Sequence, residues 1–405
     1  MIKKIISYFK KNKVKEYEDK GPGEEEVVIY FAGNKKQLYQ IEQWLNVFRE
    51  FNKQKKVAFI FKNRRVFEYY YEKEDFEFNL YFINTLKKLV NFFNESSIRQ
   101  IFYVNNSFRN FHSLINNKAV HIHINHGESE KISTFSNQVK AYDYVYIVGD
   151  AAYNKYMLNL VNIDKNKFIK VGRPQIEYIE PVEIETYGKK VVLYAPTWEG
   201  GFEDMNYSSI MKYGEKIVET LIEEGYFILY KPHPFVGSRD REYKRINEKI
   251  ISRLENYKYA AVFPKGNILN LYPKVDLAIF DNSATIIDFL IFDRPFLLTE
   301  MFDDSSTRGI IPVIKYAGEN LNDENIDNLK NIINNNLEKD EFKDMRNKIK
   351  KYYLGDFDYF NKESTKTFIN TSLELLEKQK ELLKELGEKQ KEFNKSIIQK
   401  IKDEY

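Results

Sequence analysis

Short, wholly apolar runs alternate along this chain with longer stretches in which apolar positions recur every three or four residues. "VVIYFAG", from Val27 to Gly33, reads as a strand covered on both faces, because a brief β-branched and aromatic run without polar alternation fits that setting. "QLYQIEQWLNVFREF" has helical spacing. The reading continues with strand-like "VAFIF", helical "LYFINTLKKLVNFF", and strand-like "IRQIFYV", "AVHIHIN" and "YDYVYIVG". "FIKVGRPQIEYIEPVEIETYGKK", with two Pro and few helical signals, reads as a crossover. A second alternation follows: strand "KVVLYAPTW", helix "YSSIMKYGEKIVETLIEEG", strand "YFILYKPHP", helix "REYKRINEKIISRLEN", strand "VDLAIFDNS", and helix "ATIIDFLIF", broken before Arg294 and Pro295.

Two such alternations in series predict an α/β chain of two Rossmann-like, doubly wound domains, residues 25–175 and 188–355, facing each other across a cleft. Ligands in these sheets bind beyond the carboxyl ends of the strands. Residues 1–20 form an amphipathic segment in which Ile2, Ile5, Ile6 and Phe9 share a face flanked by lysines; residues 1–15 are expected either on an anionic membrane surface or docked on the fold. Residues 360–405 read as a charged helical extension, with Glu and Lys often four apart and an interruption expected at Gly387. Its leucines keep no strict heptads, which favours a packing or partner helix over a coiled coil.

Composition narrows the class. The 405 residues are 43% apolar, enough for a core, and 63 basic against 60 acidic residues leave a net charge of +3, so no global basic footprint argues for nucleic acid. Cysteine is absent, which removes disulfides, thiolate metal sites and cysteine nucleophiles. No apolar run nears the roughly 20 residues that span a bilayer, and the start lacks a signal-peptide pattern. The expected location is cytoplasmic, peripheral on the inner face of the cell membrane. There is no G-x-G-x-x-G, P-loop or G-x-S-x-G, so dehydrogenases, common NTPases and serine hydrolases recede.

Candidate chemistry lies at four strand ends: "NHGESEK", "YAPTWEGG", "KPHP" and "FDNSATIID". Two carry histidine, His126 and His233, one from each predicted half, so both are candidates for one cleft. Neutral imidazole is the usual base toward an alcohol, because it accepts and releases a proton near neutral pH. His121 and His123, two apart on the strand before His126, read as core residues or as residues that support the site from behind. No metal is expected: no cysteine assists, and Glu128 and Glu130 suit a helix start. "DNSATIID" is the anion candidate, since Asn282, Ser283 and Thr285 at a helix start offer N–H groups and hydroxyls, with Asp288 further along.

In this order the motifs resemble the CDP-glycerol glycerophosphotransferase family, the teichoic acid primases and polymerases of GT-B arrangement. The resemblance rests on His126, Gly127 and Lys131; a G-x-P turn at Gly172 and Pro174; "YAPT" at Tyr194 to Thr197; "KPHP" at 231–234; and Asp281, Ser283 and Asp288. It covers roughly residues 100–300. The resemblance implies transfer of glycerol phosphate, or a related alditol phosphate, from a CDP-linked donor to a hydroxyl of a surface polymer such as teichoic acid or capsule, with release of CMP. His126 would deprotonate the acceptor and His233 would act near the diphosphate. Gly127, Lys131, Pro196, Thr197, Lys231, Asp281, Asn282, Ser283, Thr285 and Asp288 would hold the donor, with Arg173 a candidate phosphate contact. No cofactor is implied beyond the donor substrate, and the acceptor would be lipid-linked or a surface polymer.

The chain departs from the family pattern at Glu128 and Ser129, at Glu199 where an Arg is usual, at Gln175 where an Arg is again usual, and at Ala284 in place of a second serine. These changes remove or reverse charge near the expected ligand. Two other readings therefore stay open: a GT-B glycosyltransferase using a nucleotide sugar, and a non-catalytic assembly partner of the same fold.

Overall fold

The computed structural model describes residues 17, 20–127, 136–200, 206–301 and 312–404. The amphipathic start and the calls on Glu128, Ser129 and Lys131 lie outside the described residues.

The first half is a seven-stranded sheet, all parallel, in the order β3-β2-β1-β4-β5-β6-β7. Its strands are β1 (Val27–Phe31), β2 (Val57–Phe61), β3 (Asn79–Phe82), β4 (Gln100–Tyr103), β5 (Val120–His123), β6 (Tyr144–Ile147) and β7 (Phe168–Lys170). The second half is a six-stranded parallel sheet in the order β10-β9-β8-β11-β12-β13. It comprises β8 (Val191–Ala195), β9 (Phe227–Tyr230), β10 (Ala260–Val262), β11 (Leu277–Phe280), β12 (Phe296–Thr299) and β13 (Glu319–Leu321). All five residues of β1, β2 and β8 are buried, which is why they read as unbroken apolar runs. In each half the strand order reverses beside the first strand, between β1 and β4 and between β8 and β11. Those are the points where a crevice opens at the carboxyl ends.

Three sequence expectations need correction. "LYFINTLKKLVNFF" is not one helix: Leu80 to Phe82 pair with Phe59 to Phe61 in β3, and helix Leu86–Glu95 starts only after Thr85, whose side chain caps Lys88 N–H at 3.2 Å. "FIK" in the supposed crossover is the edge strand β7. Gly387 does not interrupt the last helix, which runs unbroken over Glu363–Glu404. One glycine costs about 1 kcal/mol relative to alanine, too little to end so long a helix.

That helix returns the chain to the first half. The Glu177 carboxylate accepts the N–H groups of Ser364 and Thr365, each at 2.8 Å, and so caps its first turn. One turn on, Phe368 sits among Trp44, Phe48, Phe51 and Phe102. Gln100 donates to the Ser372 carbonyl at 2.8 Å. From Glu388 to Asp403 every residue is exposed.

A buried ion pair closes the other seam. Arg173 follows Gly172, whose φ of +74° and close approach to Ser364 and Phe357 admit no side chain. The Arg173 guanidinium donates to Asp288 of the second half through Nε at 2.8 Å and Nη2 at 3.2 Å, and the side chains are only 5% and 10% exposed. Its backbone N–H donates to the Tyr359 hydroxyl at 3.2 Å, which ties in the segment leading to the last helix.

Breaking one side of a buried pair leaves an uncompensated charge. Arg173→Met and Asp288→Leu are each expected to destabilise by about 3–5 kcal/mol in urea unfolding, and the double variant by clearly less than the sum. Phe368→Ala is expected to cost about 3–5 kcal/mol. Truncation after Gly387 should leave the melting temperature nearly unchanged, as followed by circular dichroism.

Candidate active site

The carboxyl ends of β1, β4 and β5 from the first half face those of β8, β9 and β11 from the second across a cavity of about 1020 Å3. His126, Gly127, Arg173, Thr197, His233, Ser283, Thr285 and Asp288 all line it. The two strand-end histidines, 107 positions apart in the chain, therefore open onto one space.

His126 is held by its backbone as much as by its ring. Asn125 takes the left-handed conformation (φ 50°), its Oδ1 accepts the His126 N–H at 2.8 Å, and its Nδ2 donates to the Gly127 carbonyl at 2.9 Å. Asparagine tolerates that backbone better than most residues because its short side chain bonds locally. From helix Leu45–Asn52's edge, the Trp44 indole donates to the Asn125 carbonyl at 2.7 Å. The ring's Nδ1 lies 3.1 Å from the Val104 carbonyl, which only accepts, so Nδ1 carries the proton and Nε2 keeps its lone pair. Tyr39 meets the imidazole edge-to-face at 5.7 Å. Burial pushes the His126 pKa down to about 4; the Val104 carbonyl opposes this, and the Arg173 charge adds to it.

His233 has the opposite arrangement. The Phe235 N–H donates to its Nδ1 at 3.1 Å, so the neutral ring carries its proton on Nε2. Its backbone N–H donates to the Pro196 carbonyl at 3.1 Å, and its ring stacks on Trp198 at 6.0 Å. The loop that follows is tied down by Glu199, which accepts the N–H groups of Gly237 at 3.0 Å, Arg239 at 2.8 Å and Asp240 at 3.2 Å. Burial raises the Glu199 pKa, but these bonds more than offset it and hold the carboxyl below its usual range. Glu199 thus lies behind the cleft surface, and its presence in place of Arg puts no negative charge on the ligand wall.

At the start of helix Ala284–Phe289, Ser283 leaves the cap unmade: its hydroxyl pairs instead with the Thr285 hydroxyl at 2.6 Å, and both residues line the cavity. Other expected donor contacts fall elsewhere. Asp281 is fully buried, with Thr197 N–H at 2.7 Å and Ser209 N–H at 3.1 Å on Oδ2 and the Thr299 hydroxyl at 2.6 Å on Oδ1. It is a strap between loops, and burial raises its pKa to about 6. Pro196, Lys231 and Asn282 do not line the cavity; Lys231 is buried, which lowers its pKa. Asp288 and Arg173 reach the cavity but spend their charges on each other.

His121 and His123 sit within the first sheet's core. His121 bonds the Tyr103 hydroxyl at 2.7 Å and the Asn116 carbonyl at 3.0 Å. His123 stacks on Tyr142 at 5.3 Å, neither ring nitrogen has a hydrogen-bond partner among the described residues, and burial holds its pKa down at about 3. Among the described residues no group of three or more His, Asp or Glu is placed to hold a metal. Sequence reasoning missed the first half's wall, where Asn34, Gln37, Asn46, Asn63, Asn106 and Arg109 line the cavity. A usable signal existed, since several of them follow directly on the ends of β1, β2 and β4.

No curated relative matches the chain by sequence. Among solved structures, a glycosyltransferase from Rickettsia africae ESF-5 is similar at a TM-score of 0.53 and 13% identity, covering 88% of this chain and 99% of its own. The wall teichoic acid polymerase TagF is similar at 0.55 and 15% identity, with 87% and 89% covered. Anabaena Alr3699/HepE, solved with UDP and glucose, is similar at 0.51 and 11% identity, with 85% and 99% covered. These likenesses establish a GT-B-like fold. Among the described residues no helix is long and apolar enough to cross a membrane. The sequence profile of the CDP-glycerol:poly(glycerophosphate) glycerophosphotransferases matches residues 24–367, most of the chain and both of its sheets, and the protein belongs to that family.

Proposed function

We propose that the chain transfers glycerol phosphate, or a related alditol phosphate, from a CDP-linked donor to a hydroxyl of a surface polymer such as teichoic acid or capsule, releasing CMP. The observation that carries this reading is the pair of histidines on one cavity in opposite tautomers. His126 Nε2 takes the proton of the acceptor hydroxyl as its oxygen attacks the β-phosphorus. The new P–O bond forms as the bond to the bridging oxygen breaks, and CMP leaves with that oxygen. His233 Nε2–H stabilises the charge that develops on the diphosphate, with the Ser283 and Thr285 hydroxyls as further donors. Family membership supports the donor class, as does the TagF variant soaked with CDPG among the similar structures. The cavity fits a mechanism in which positioning and fixed dipoles do most of the work.

Purified protein mixed with a panel of CDP-alditols and nucleotide sugars, with surface glycan as acceptor, tests the assignment. CMP release is expected, and His126→Ala should lower acceptor-dependent release by about 100-fold or more. Release that survives this change would remove His126 as the base, and nucleoside diphosphate as product would make the chain a glycosyltransferase.

Because His126 in the free protein stays neutral until about pH 4, the acid limb of kcat/KM should fall near that pH and not at the usual imidazole value of 6.5. A limb near pH 6.5 would contradict the assigned burial. The reading also places residues 1–15 on an anionic membrane surface at the inner face of the cell membrane. Deleting them should abolish flotation with anionic vesicles, and unchanged flotation would refute that role.

A further inference from the structure

The two walls of the cavity differ in chemistry. On the first half's wall side-chain amides dominate, and four of them share one arrangement. Asn34 Oδ1 accepts Lys36 N–H at 2.9 Å, Gln37 Oε1 accepts Asn34 N–H at 3.0 Å, Asn46 Oδ1 accepts Arg49 Nη1 at 2.7 Å, and Asn63 Oδ1 accepts Arg65 N–H at 3.0 Å. Each oxygen is committed to a group that can only donate, so the orientation of each amide is set. The four amino groups have no partner among the described residues, and all four residues line the cavity. Nearby, the buried Oδ1 of Asn106 has no hydrogen-bond partner among the described residues and supplies an acceptor. A wall of fixed neutral donors with an adjacent acceptor suits hydroxyl groups, which both accept and donate.

Charge on this wall is sparse. Glu42 faces the cavity but is already engaged, accepting the Tyr69 hydroxyl at 3.0 Å and lying 3.9 Å from the Lys73 ammonium. Arg109 lines the cavity; Lys62 directly precedes the cavity-lining Asn63 at the end of β2 but does not itself line the cavity, and neither side chain has a partner among the described residues. The two cations are near enough that Arg109, after burial, pushes the Lys62 pKa down. Arg109, a cavity-lining cation with no acidic partner among the described residues, suits one anionic group. A poly(alditol phosphate) chain carries a charge on every repeat, and each charge withdrawn from water needs its own partner.

We propose that this wall is the acceptor subsite, and that the acceptor is an otherwise uncharged, hydroxyl-rich saccharide bearing one anionic group seated at Arg109, not a poly(alditol phosphate) chain. The inference rests on the cavity being the place of transfer to a hydroxyl, and it narrows that reading, because a growing teichoic acid chain of poly(alditol phosphate) is then excluded as the acceptor.

Calorimetric titration of the full chain, without donor, reads the subsite separately from the CDP-linked assignment. Three probes are compared: a neutral disaccharide, the same disaccharide carrying a 1-phosphate, and a glycerol phosphate oligomer of similar size. The phosphorylated disaccharide is expected to bind about 10-fold tighter than the neutral one, the worth of one charge-assisted contact, and both tighter than the oligomer. Arg109→Gln should bring the phosphorylated disaccharide down to the neutral one. Asn46→Asp keeps the bond to Arg49 while replacing a donor by an acceptor, and should weaken both saccharides about 10-fold. Gln37→Glu makes the same exchange at a second position should Asn46→Asp fail to fold by circular dichroism. The proposal is overturned if the oligomer binds best, if Arg109→Gln leaves the difference between the two saccharides intact, or if neither saccharide binds. Tight oligomer binding together with CMP release from CDP-glycerol would sink the saccharide acceptor and leave the donor assignment standing.

Discussion

The pairing of Arg173 with Asp288 is the constraint on which the rest of the arrangement depends. One guanidinium bonds the carboxylate of the second half's helix, lies 3.5 Å from the His126 carbonyl of the first half, and belongs to a residue whose backbone is tied to Tyr359. Two sheets that share no strand are thus joined at the floor of the cavity by a group that is itself nearly sealed from water. A buried charge pair is poor insurance of overall stability, because desolvation offsets much of the attraction. It does penalise any displacement of one partner, so it defines how the halves face each other. It also keeps positive charge beside His126, which helps to hold that ring neutral.

With the halves so joined, the chemistry of the two histidines follows from backbone groups. A carbonyl at Nδ1 of His126 and an N–H at Nδ1 of His233 set complementary tautomers. The loops bearing them are themselves held through the backbone, by Trp44 and Asn125 on one side and by Pro196 and Glu199 on the other. Substitution around the cavity can therefore proceed while the two rings keep their positions and hydrogen bonds. Gln175, Ala284 and Glu199, where the family usually has other residues, illustrate this: two line the cavity and the third braces a loop behind it.

The parallel sheets were legible because strands buried on both faces are written as continuous apolar runs, as in Val27 to Phe31 and Val191 to Ala195. Edge strands were harder to see. Phe168 to Lys170 and Glu319 to Leu321 are three residues long and only partly buried, so local pattern does not separate them from loop. The last helix was legible in its charge spacing, yet its role was not, since only Phe368, Ser372 and their neighbours show which surface it covers.

By itself the sequence determined the α/β class, the order of the strand-end motifs and the two histidines that end strands in opposite halves, because those depend on local periodicity and on residue type. Only the tertiary structure decided which charged groups face the cavity with charge to spare. Asp281, Asp288, Arg173 and Lys231 read alike in one dimension as donor contacts, but the first is consumed by two backbone N–H groups and a hydroxyl, the next two by each other, and the last is buried away from the cavity. The reason is that a charge withdrawn from water must find its partner at a distance of a few ångströms, and a sequence records the charge without recording that distance.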